Sequence, residues 1–185
     1  VKLHGTAADV SRVDRAIEAG LAYVTEDRKS LGLILEESIQ FNTTLAHLEG
    51  VSKAGVLNAN AETEVAEHFR KALKTRTPSV FQQVGNLSGG NQQKVVLAKW
   101  LNTSPEVLIL DEPTRGIDVG AKYEIYAIIN ELSEQGKGVV MISSEMPELL
   151  GMCDRIYVMN EGAFVGELAA KDASQERIMS LIVTE

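Results

Sequence analysis

The sequence predicts an α/β fold, on three observations. Val107–Leu110 and Val139–Ile142 are short, unbroken apolar runs with polar or turn residues at both ends. That pattern suits strands of a parallel sheet buried on both faces. Residues 119–135 lie between them with apolar side chains at helical spacing, so strand and helix alternate. Finally, three such runs end in polar clusters: Tyr23-Val24-Thr25-Glu26-Asp27-Arg28, Leu110-Asp111-Glu112 and Ile142-Ser143-Ser144-Glu145. Ligands of open parallel sheets sit beyond the carboxyl ends of the strands.

Taken in order, Val1–Leu3 reads as a short strand turning at His4-Gly5. Val10–Ala19 reads as a modest helix stopped by Gly20. Leu21–Thr25 is a strand. Residues 30–62 mix apolar pieces with Gly50, Gly55 and an Asn-Ala-Asn-Ala-Glu run, which predicts short helices and loops. Glu62–Lys74 is a helix with Val65, Phe69 and Leu73 four residues apart, ended by Thr77-Pro78. Ser88–Leu101 is a helix with Val95, Ala98 and Leu101 on one face, and Pro105 closes the connection to the next strand. In the 119–135 helix, Tyr123, Tyr126, Ile129 and Leu132 form the expected inner face and Gly136 the stop. Pro147–Leu150 is a short helix. Ile156–Met159 and Phe164–Leu168 flank Asn160-Glu161-Gly162 as a hairpin. Ser174 caps a last helix, Gln175–Val183, with Glu176 at its positive end.

Composition narrows the function. The 185 residues are 44% apolar and 24% charged, the balance of a folded chain. Acidic residues outnumber basic ones 26 to 18, a net charge of −8. This argues against a general nucleic-acid binder, but not against a phosphate ligand held by backbone N–H groups. Cys153 is the single cysteine and reads as a small buried hydrophobe, so there is no internal disulfide and no thiolate cluster. His4, His47 and His68 have no metal-ligand spacing. No apolar run approaches a membrane span of about 18 residues, and no secretory leader is visible. The first residue is Val, so the chain reads as mature, processed or part of something larger.

Two motifs carry chemistry by themselves. In Leu87-Ser88-Gly89-Gly90-Asn91-Gln92-Gln93-Lys94, a serine and two glycines open a helix. First-turn N–H groups and the helix dipole favour an anion there, and glycines let a phosphate approach the backbone. The same octapeptide also reads as an ordinary N-cap after a flexible turn. In Leu108-Ile109-Leu110-Asp111-Glu112-Pro113, a strand ends in two carboxylates. One suits Mg²⁺, which demands oxygen ligands, and the other suits accepting a proton from water. Two solvated acids before a proline turn are the plain alternative. Asp118, in Thr114-Arg115-Gly116-Ile117-Asp118, is placed to cap the 119–135 helix.

Taken together and in this order, LSGGNQQK, LILDEPTRGID and ISSEMPELLG resemble the ATP-binding subunits of ABC transporters over essentially the whole chain. Glu26-Asp27-Arg28, Asn91-Gln92-Gln93-Lys94, Arg115-Gly116-Ile117-Asp118, Ser143–Glu148 and GMCDRIYVMNEG narrow the resemblance. They look like the second, C-terminal nucleotide-binding half of the two-domain ATPase of bacterial monosaccharide importers, closest to the multiple-monosaccharide and galactoside branch.

The resemblance implies a P-loop NTPase core with an inserted helical subdomain. Residues 1–185 would be a partial second nucleotide-binding domain. Residues 30–104 would be the helical subdomain with the signature helix, and 105–185 the core with Walker B, D-loop and switch region. Leu87, Ser88, Gly89, Gly90, Asn91 and Gln92 would be the signature motif, contacting ATP held by the opposite domain. Asp111 would lie near Mg²⁺, and Glu112 would orient the attacking water. Asp118 would be the D-loop aspartate. Glu26 takes the usual Q-loop glutamine position and would reach Mg²⁺ directly or through water, and Ser144 takes that of the switch histidine. Implied partners are the N-terminal ATPase half of the same polypeptide, a transmembrane permease dimer and, indirectly, an extracytoplasmic sugar-binding protein. Implied cofactors are ATP and Mg²⁺, and the implied place is the cytoplasmic face of the membrane.

The departures from the family pattern shape the expected mechanism. No G-x-x-x-x-G-K-[ST] occurs in the chain. The resemblance therefore implies a domain truncated at its N-terminus by about 40 residues, with its phosphate loop and a central strand preceding residue 1. Such a piece would be inactive as an ATPase in isolation. An ionised Glu26 cannot donate a hydrogen bond as glutamine does, and Ser144 lacks the reach of histidine. The expected ATPase is thus asymmetric, with the productive ATP held by the other half. A non-transport ABC ATPase of translation or DNA repair, or an inactive regulatory half, are the alternative classes. The Glu-Asp-Arg and Ser-Ser-Glu features and the acidic charge weigh against the first of these.

Overall fold

A computed structural model describes residues 1–183. The chain divides into two compact units, Val1–Ile142 and the residues from Ser143 onward.

The first unit is built on a three-stranded parallel sheet of β3 (Leu21–Val24), β6 (Val107–Asp111) and β7 (Gly138–Ile142), in that order. The short hairpin β1 (Lys2–Leu3) and β2 (Thr6–Ala7) and the helix α1 (Val13–Glu18) precede it. The register sets Ala22, Leu108 and Val139 side by side, then Val24, Leu110 and Met141. This row is the core side: Ala22, Val24, Leu108 and Leu110 are buried. Helices α4 (Gly89–Leu101) and α5 (Val119–Glu134) pack on the sheet.

The other row, through Tyr23, Ile109 and Val140, is more open, with Tyr23, Val140 and Ile142 44%, 50% and 47% exposed. The expectation of a β7 buried on both faces is therefore corrected. An apolar run shows that a strand has no polar face, not that both faces are covered. The inner face of α5 is corrected too. Ile125, Ile128, Ile129 and Leu132 are buried, whereas Tyr123 is 69% exposed and stacks edge-to-face on Tyr126. Helix α4 is buried all round from Gln92 to Lys99 rather than on one face, because helices lie against it as well as β3.

Between sheet strands β3 and β6 lies a mostly helical stretch. It holds a π-turn at Arg28–Gly32, α2 (Ile39–Thr44), a 3₁₀ turn at Leu48–Val51, the hairpin β4 (Ser52–Lys53) and β5 (Val56–Leu57), and α3 (Ala59–Ala72). Helix α3 begins earlier than its apolar spacing suggests, because Asn58 caps it by accepting from the N–H groups of Asn60 and Ala61. Asn42, fully buried, ties down the preceding loop. Its amide donates to the carbonyls of Ile34 and Ser38, and its oxygen accepts from Ile34 N–H.

A polar brace joins α4 to α5. Lys94 is buried, and its Nζ donates to Glu124 Oε2 at 2.7 Å and to the Lys74 carbonyl at 3.1 Å. Arg76 reaches the other Glu124 oxygen at 2.7 Å. The Lys94 hydrogen bond, then the charges of Lys94 and Arg76, hold the Glu124 carboxyl below the usual range. Glu124→Gln is expected to destabilise the protein by about 1–3 kcal/mol at pH 7, since it strands a buried ammonium; the half-exposed carboxylate keeps the cost at that modest level. A depressed carboxyl stabilises the fold fully above its unfolded value, about pH 4.3, and that gain is lost as pH falls through the native value. Urea unfolding at stepped pH should therefore show the deficit shrinking in acid.

The second unit contains α6 (Met146–Met152), the hairpin β8 (Arg155–Asn160) and β9 (Ala163–Ala169), and α7 (Gln175–Ile182). Glu161 and Gly162 form its two-residue turn, both with positive φ (47° and 79°), the geometry that matches strand twist. Ile156 and Val158 pack on Ile178 of α7, with Cys153 half-buried beside them. Ser174 caps α7 by accepting from Arg177 N–H. Among the described residues, no helix is long and apolar enough to cross a membrane.

Candidate functional site

The first unit gathers most of the singled-out residues around two features: the end of β6 and the start of α4. β6 closes on Asp111, whose Oδ2 accepts a 2.6 Å hydrogen bond from the Tyr23 hydroxyl on β3. That bond, with the nearby negative charge, pushes the Tyr23 phenol pKa up. Glu112 follows with a φ of 46°, in the left-handed region that non-glycine residues rarely adopt. Its N–H is held by the Ile142 carbonyl at 2.8 Å, and its own carbonyl accepts from Arg115 N–H at 3.1 Å. The surrounding bonds thus fix a strained backbone at a carboxylate, a combination that clusters at functional sites. Pro113 and Thr114 are buried beneath this turn.

The chain then runs through Arg115, Gly116 and Ile117 to Asp118, which caps α5 by accepting from Ala121 N–H at 2.9 Å. Across from it, α4 starts at Ser88. No side chain caps this start. The Ser88 Oγ instead accepts from Asn91 Nδ2 at 3.0 Å, and Asn91 Oδ1 is occupied by Arg76 N–H at 2.9 Å. The first intrahelical bond runs from Gln92 N–H to the Ser88 carbonyl. The Gly89, Gly90 and Asn91 N–H groups of the first turn are therefore left to whatever lies before the helix.

Ser88, Gly90, Asn91, Asp118, Gly120 and Ala121, together with Arg76 and Glu124, line a cavity of about 190 Å³. Gly90 is required by packing: a Cβ there would lie 2.5 Å from the Ala121 Cβ. Leu87 is half-buried and Gln92 buried, the latter donating to the Val84 carbonyl at 3.3 Å.

The Glu-Asp-Arg segment after β3 divides its work. Asp27 caps the π-turn, accepting from the N–H groups of Lys29 and Ser30 and from the Ser30 hydroxyl. The Ser30 hydroxyl bond is the main reason its carboxyl titrates low. Glu26 is ion-paired with Arg115. Arg28 donates to the carbonyls of Arg115 and Gly116 at 2.8 and 3.3 Å and, at 3.4 Å, to Gln92 Oε1. Tyr23 and Arg28 stand in a segment that the sequence singles out, yet neither was a candidate site residue. Their partners lie 64 to 88 residues away, beyond the reach of local spacing. Ser144 belongs to the second unit, where it is exposed beside Ser143, whose hydroxyl donates to Glu148 at 2.5 Å.

Asp111 has the donor chemistry that a Mg²⁺ ion would need. A single carboxylate on a strand end, steadied through one oxygen by Tyr23, suits an ion that keeps mostly water and phosphate as ligands. Among the described residues, no group of three or more His, Cys, Asp or Glu side chains forms a ready metal cage. Glu26 would have to leave Arg115 to contribute.

Known proteins resemble this chain in sequence and in fold. The chain is 59% identical to the L-arabinose transport ATP-binding protein AraG of Geobacillus stearothermophilus over 97% of its length, which is 35% of that protein. It is 55% identical to the xylose import ATP-binding protein XylG of Geobacillus kaustophilus, and 51% identical to the ribose import ATP-binding protein RbsA of Oceanobacillus iheyensis. Each match covers 97% of the chain and 36% of the relative, so the chain spans about a third of the length of these proteins. Its fold is that of the MJ1267 ATP-binding cassette of an ABC transporter (TM-score 0.73, 20% identity, 91% of this chain and 70% of that one). It is also that of the MJ0796 cassette in its dimeric, ADP- and phosphate-bound form (TM-score 0.71, 20% identity, 88% of this chain and 68% of that one). The sequence profile of ABC transporters matches residues 4–115, more than half of the chain, and the chain belongs to that family.

Proposed function

We propose that these residues form part of the ATPase subunit of a monosaccharide importer, and that they lend their signature helix to an ATP held by another domain. The open start of α4 carries this reading. It offers N–H groups that no side chain caps, a serine hydroxyl and two glycines at a cavity shared with Asp118. A terminal phosphate seated there would meet donors already aimed at it. Such preorganised donors stabilise charge developing on a phosphoryl group in flight.

The phosphate loop for that ATP is supplied in trans by the other half of the full-length protein. Asp111 and Glu112 belong to the second composite site, where Asp111 would hold Mg²⁺ and Glu112 would position water. Mg²⁺, when bound, neutralises charge on the phosphates. Tyr23 fixes the Asp111 carboxylate, and the Ile142 carbonyl fixes the backbone of Glu112. With Glu26 paired to Arg115, this second site mainly holds nucleotide. Ser144 is the switch position and Asp118 the D-loop contact between the halves. Residues 30–104 form the helical subdomain that meets a permease dimer at the cytoplasmic membrane face, and 105–185 belong to the core. An extracytoplasmic binding protein delivers the sugar. Relatives named for arabinose, xylose and ribose match at similar identity, which supports a monosaccharide class rather than one sugar.

The test is reconstitution of the full-length protein with its permease and binding protein in liposomes. ATP-dependent accumulation of a labelled pentose or hexose is the expected result. ATP hydrolysis by a protein that associates with no permease would instead favour a non-transport ABC ATPase.

A further inference from the structure

We infer that Arg28 is a positioning residue for the composite ATP site, a guanidinium that fixes the D-loop against the signature helix; the inference rests on the function proposed above. Arg28 lies outside every motif assigned a role there. Its three bonds nevertheless span both motifs that would face the nucleotide. Nη1 and Nη2 take the consecutive carbonyls of Arg115 and Gly116 at 2.8 and 3.3 Å, just before Asp118. Nε reaches Gln92 Oε1 at 3.4 Å in the first turn of α4. Glu26, two residues earlier, holds the Arg115 side chain, so one short segment grips the D-loop by side chain and main chain together.

The glycine at 89 supplies an independent observation. A Cβ there would lie 2.8 Å from Arg28 Nη2 and 3.2 Å from the Gly116 carbonyl oxygen. Gly89 is therefore bare where the guanidinium and the D-loop press against the helix start. Both partners of Nη1 and Nη2 are backbone carbonyls, fixed in place and without counter-charge. A planar fork with donors at set angles suits two adjacent carbonyls; a lysine ammonium, a point charge on a flexible stem, cannot span them in the same way. Burial draws the Arg28 pKa down, and the charge of the neighbouring Asp27 offsets only part of that.

The role is positioning because Arg28 is committed to these partners and not to a phosphate. Its loss should loosen the D-loop relative to α4 without changing how the other half holds ATP. A displacement of about 1 Å at a reacting centre costs on the order of 100-fold in rate. In the full-length transporter, Arg28→Gln and Arg28→Lys are therefore expected to lower kcat for ATP by about 10- to 100-fold, with KM within about threefold of wild type. Amide exchange at residues 115–118 should quicken in both.

Lysine failing to rescue is the signature of a fork. Arg28→Lys with wild-type kcat would overturn the inference, because charge alone would then suffice. A rise in KM with unchanged kcat would overturn it also, by making Arg28 a ground-state ATP contact. Should Arg28→Gln not fold, Arg28→Lys carries the test alone. Ser88→Arg, assayed beside them, reports on the underlying reading. If it turns over normally, the proposed function falls. If it is dead while both Arg28 variants run at full rate, only the positioning role falls.

Discussion

Ser88→Arg is expected to abolish ATP-driven sugar uptake by the full-length transporter and to lower its ATPase rate by at least about 100-fold. Ser88 is exposed at the mouth of a cavity of about 190 Å³, beside Asp118 and Glu124. An arginine there fills the space in front of the helix and finds two carboxylates to hold it. The uncapped N–H groups of α4 are then shielded from any phosphate. The substitution should cost the fold about 1 kcal/mol or less, because the Ser88 hydroxyl caps no helix N–H and bonds only the Asn91 amide. Circular dichroism, the melting temperature and ATPase assays on one preparation separate the two effects. A folded protein with normal turnover would exclude the start of α4 as a phosphate contact.

Gly90→Ala should impair both stability and turnover. Its new Cβ would fall 2.5 Å from the Ala121 Cβ and 3.6 Å from Ile117 Cγ2, so α4 and the first turn of α5 must part. Overpacking of this kind costs about 1–3 kcal/mol. The same separation moves the signature helix off Asp118 and, by the misplacement argument, lowers kcat by about 10- to 100-fold. Ala121→Gly removes the atom that is struck. In the Gly90→Ala background it should recover stability and rate, although alone it costs about 1 kcal/mol of helix propensity. A double-mutant cycle measured by chemical denaturation and by kcat checks this: the coupling should be favourable and exceed about 0.5 kcal/mol. Strict additivity would mean that the two helices do not meet at these residues in the working protein.

These expectations draw on features of unequal legibility in the sequence. The caps were readable: Asp118 and Ser174 accept from the third residue of their helices, as a short polar side chain before a helix should. The hairpin turn at Glu161-Gly162 was readable from glycine's tolerance of positive φ. The ends of β3 and β6 were readable to within one residue, because the apolar runs stop at Thr25 and Asp111. Residues 30–62 were not, since their order comes from distant partners. Ile39 and Gln40 N–H groups bond the carbonyls of Gln82 and Val80. Exposure along β7 and the outward turn of Tyr123 also escaped, because burial depends on what covers a face rather than on its composition. Arg28 escaped for a related reason: main-chain carbonyls leave no mark in a sequence.

The central claim is an asymmetry: the chain contributes more to catalysis through Ser88 than through Glu112. The measurement that tests it most directly sets Ser88→Arg beside Glu112→Gln in the same full-length protein. ATPase kcat and sugar uptake are read on both in reconstituted liposomes. Near-complete loss is expected for Ser88→Arg and, for Glu112→Gln, a fall of less than about tenfold. A larger loss for Glu112→Gln would contradict it and assign hydrolysis to the site built on Asp111 and Glu112.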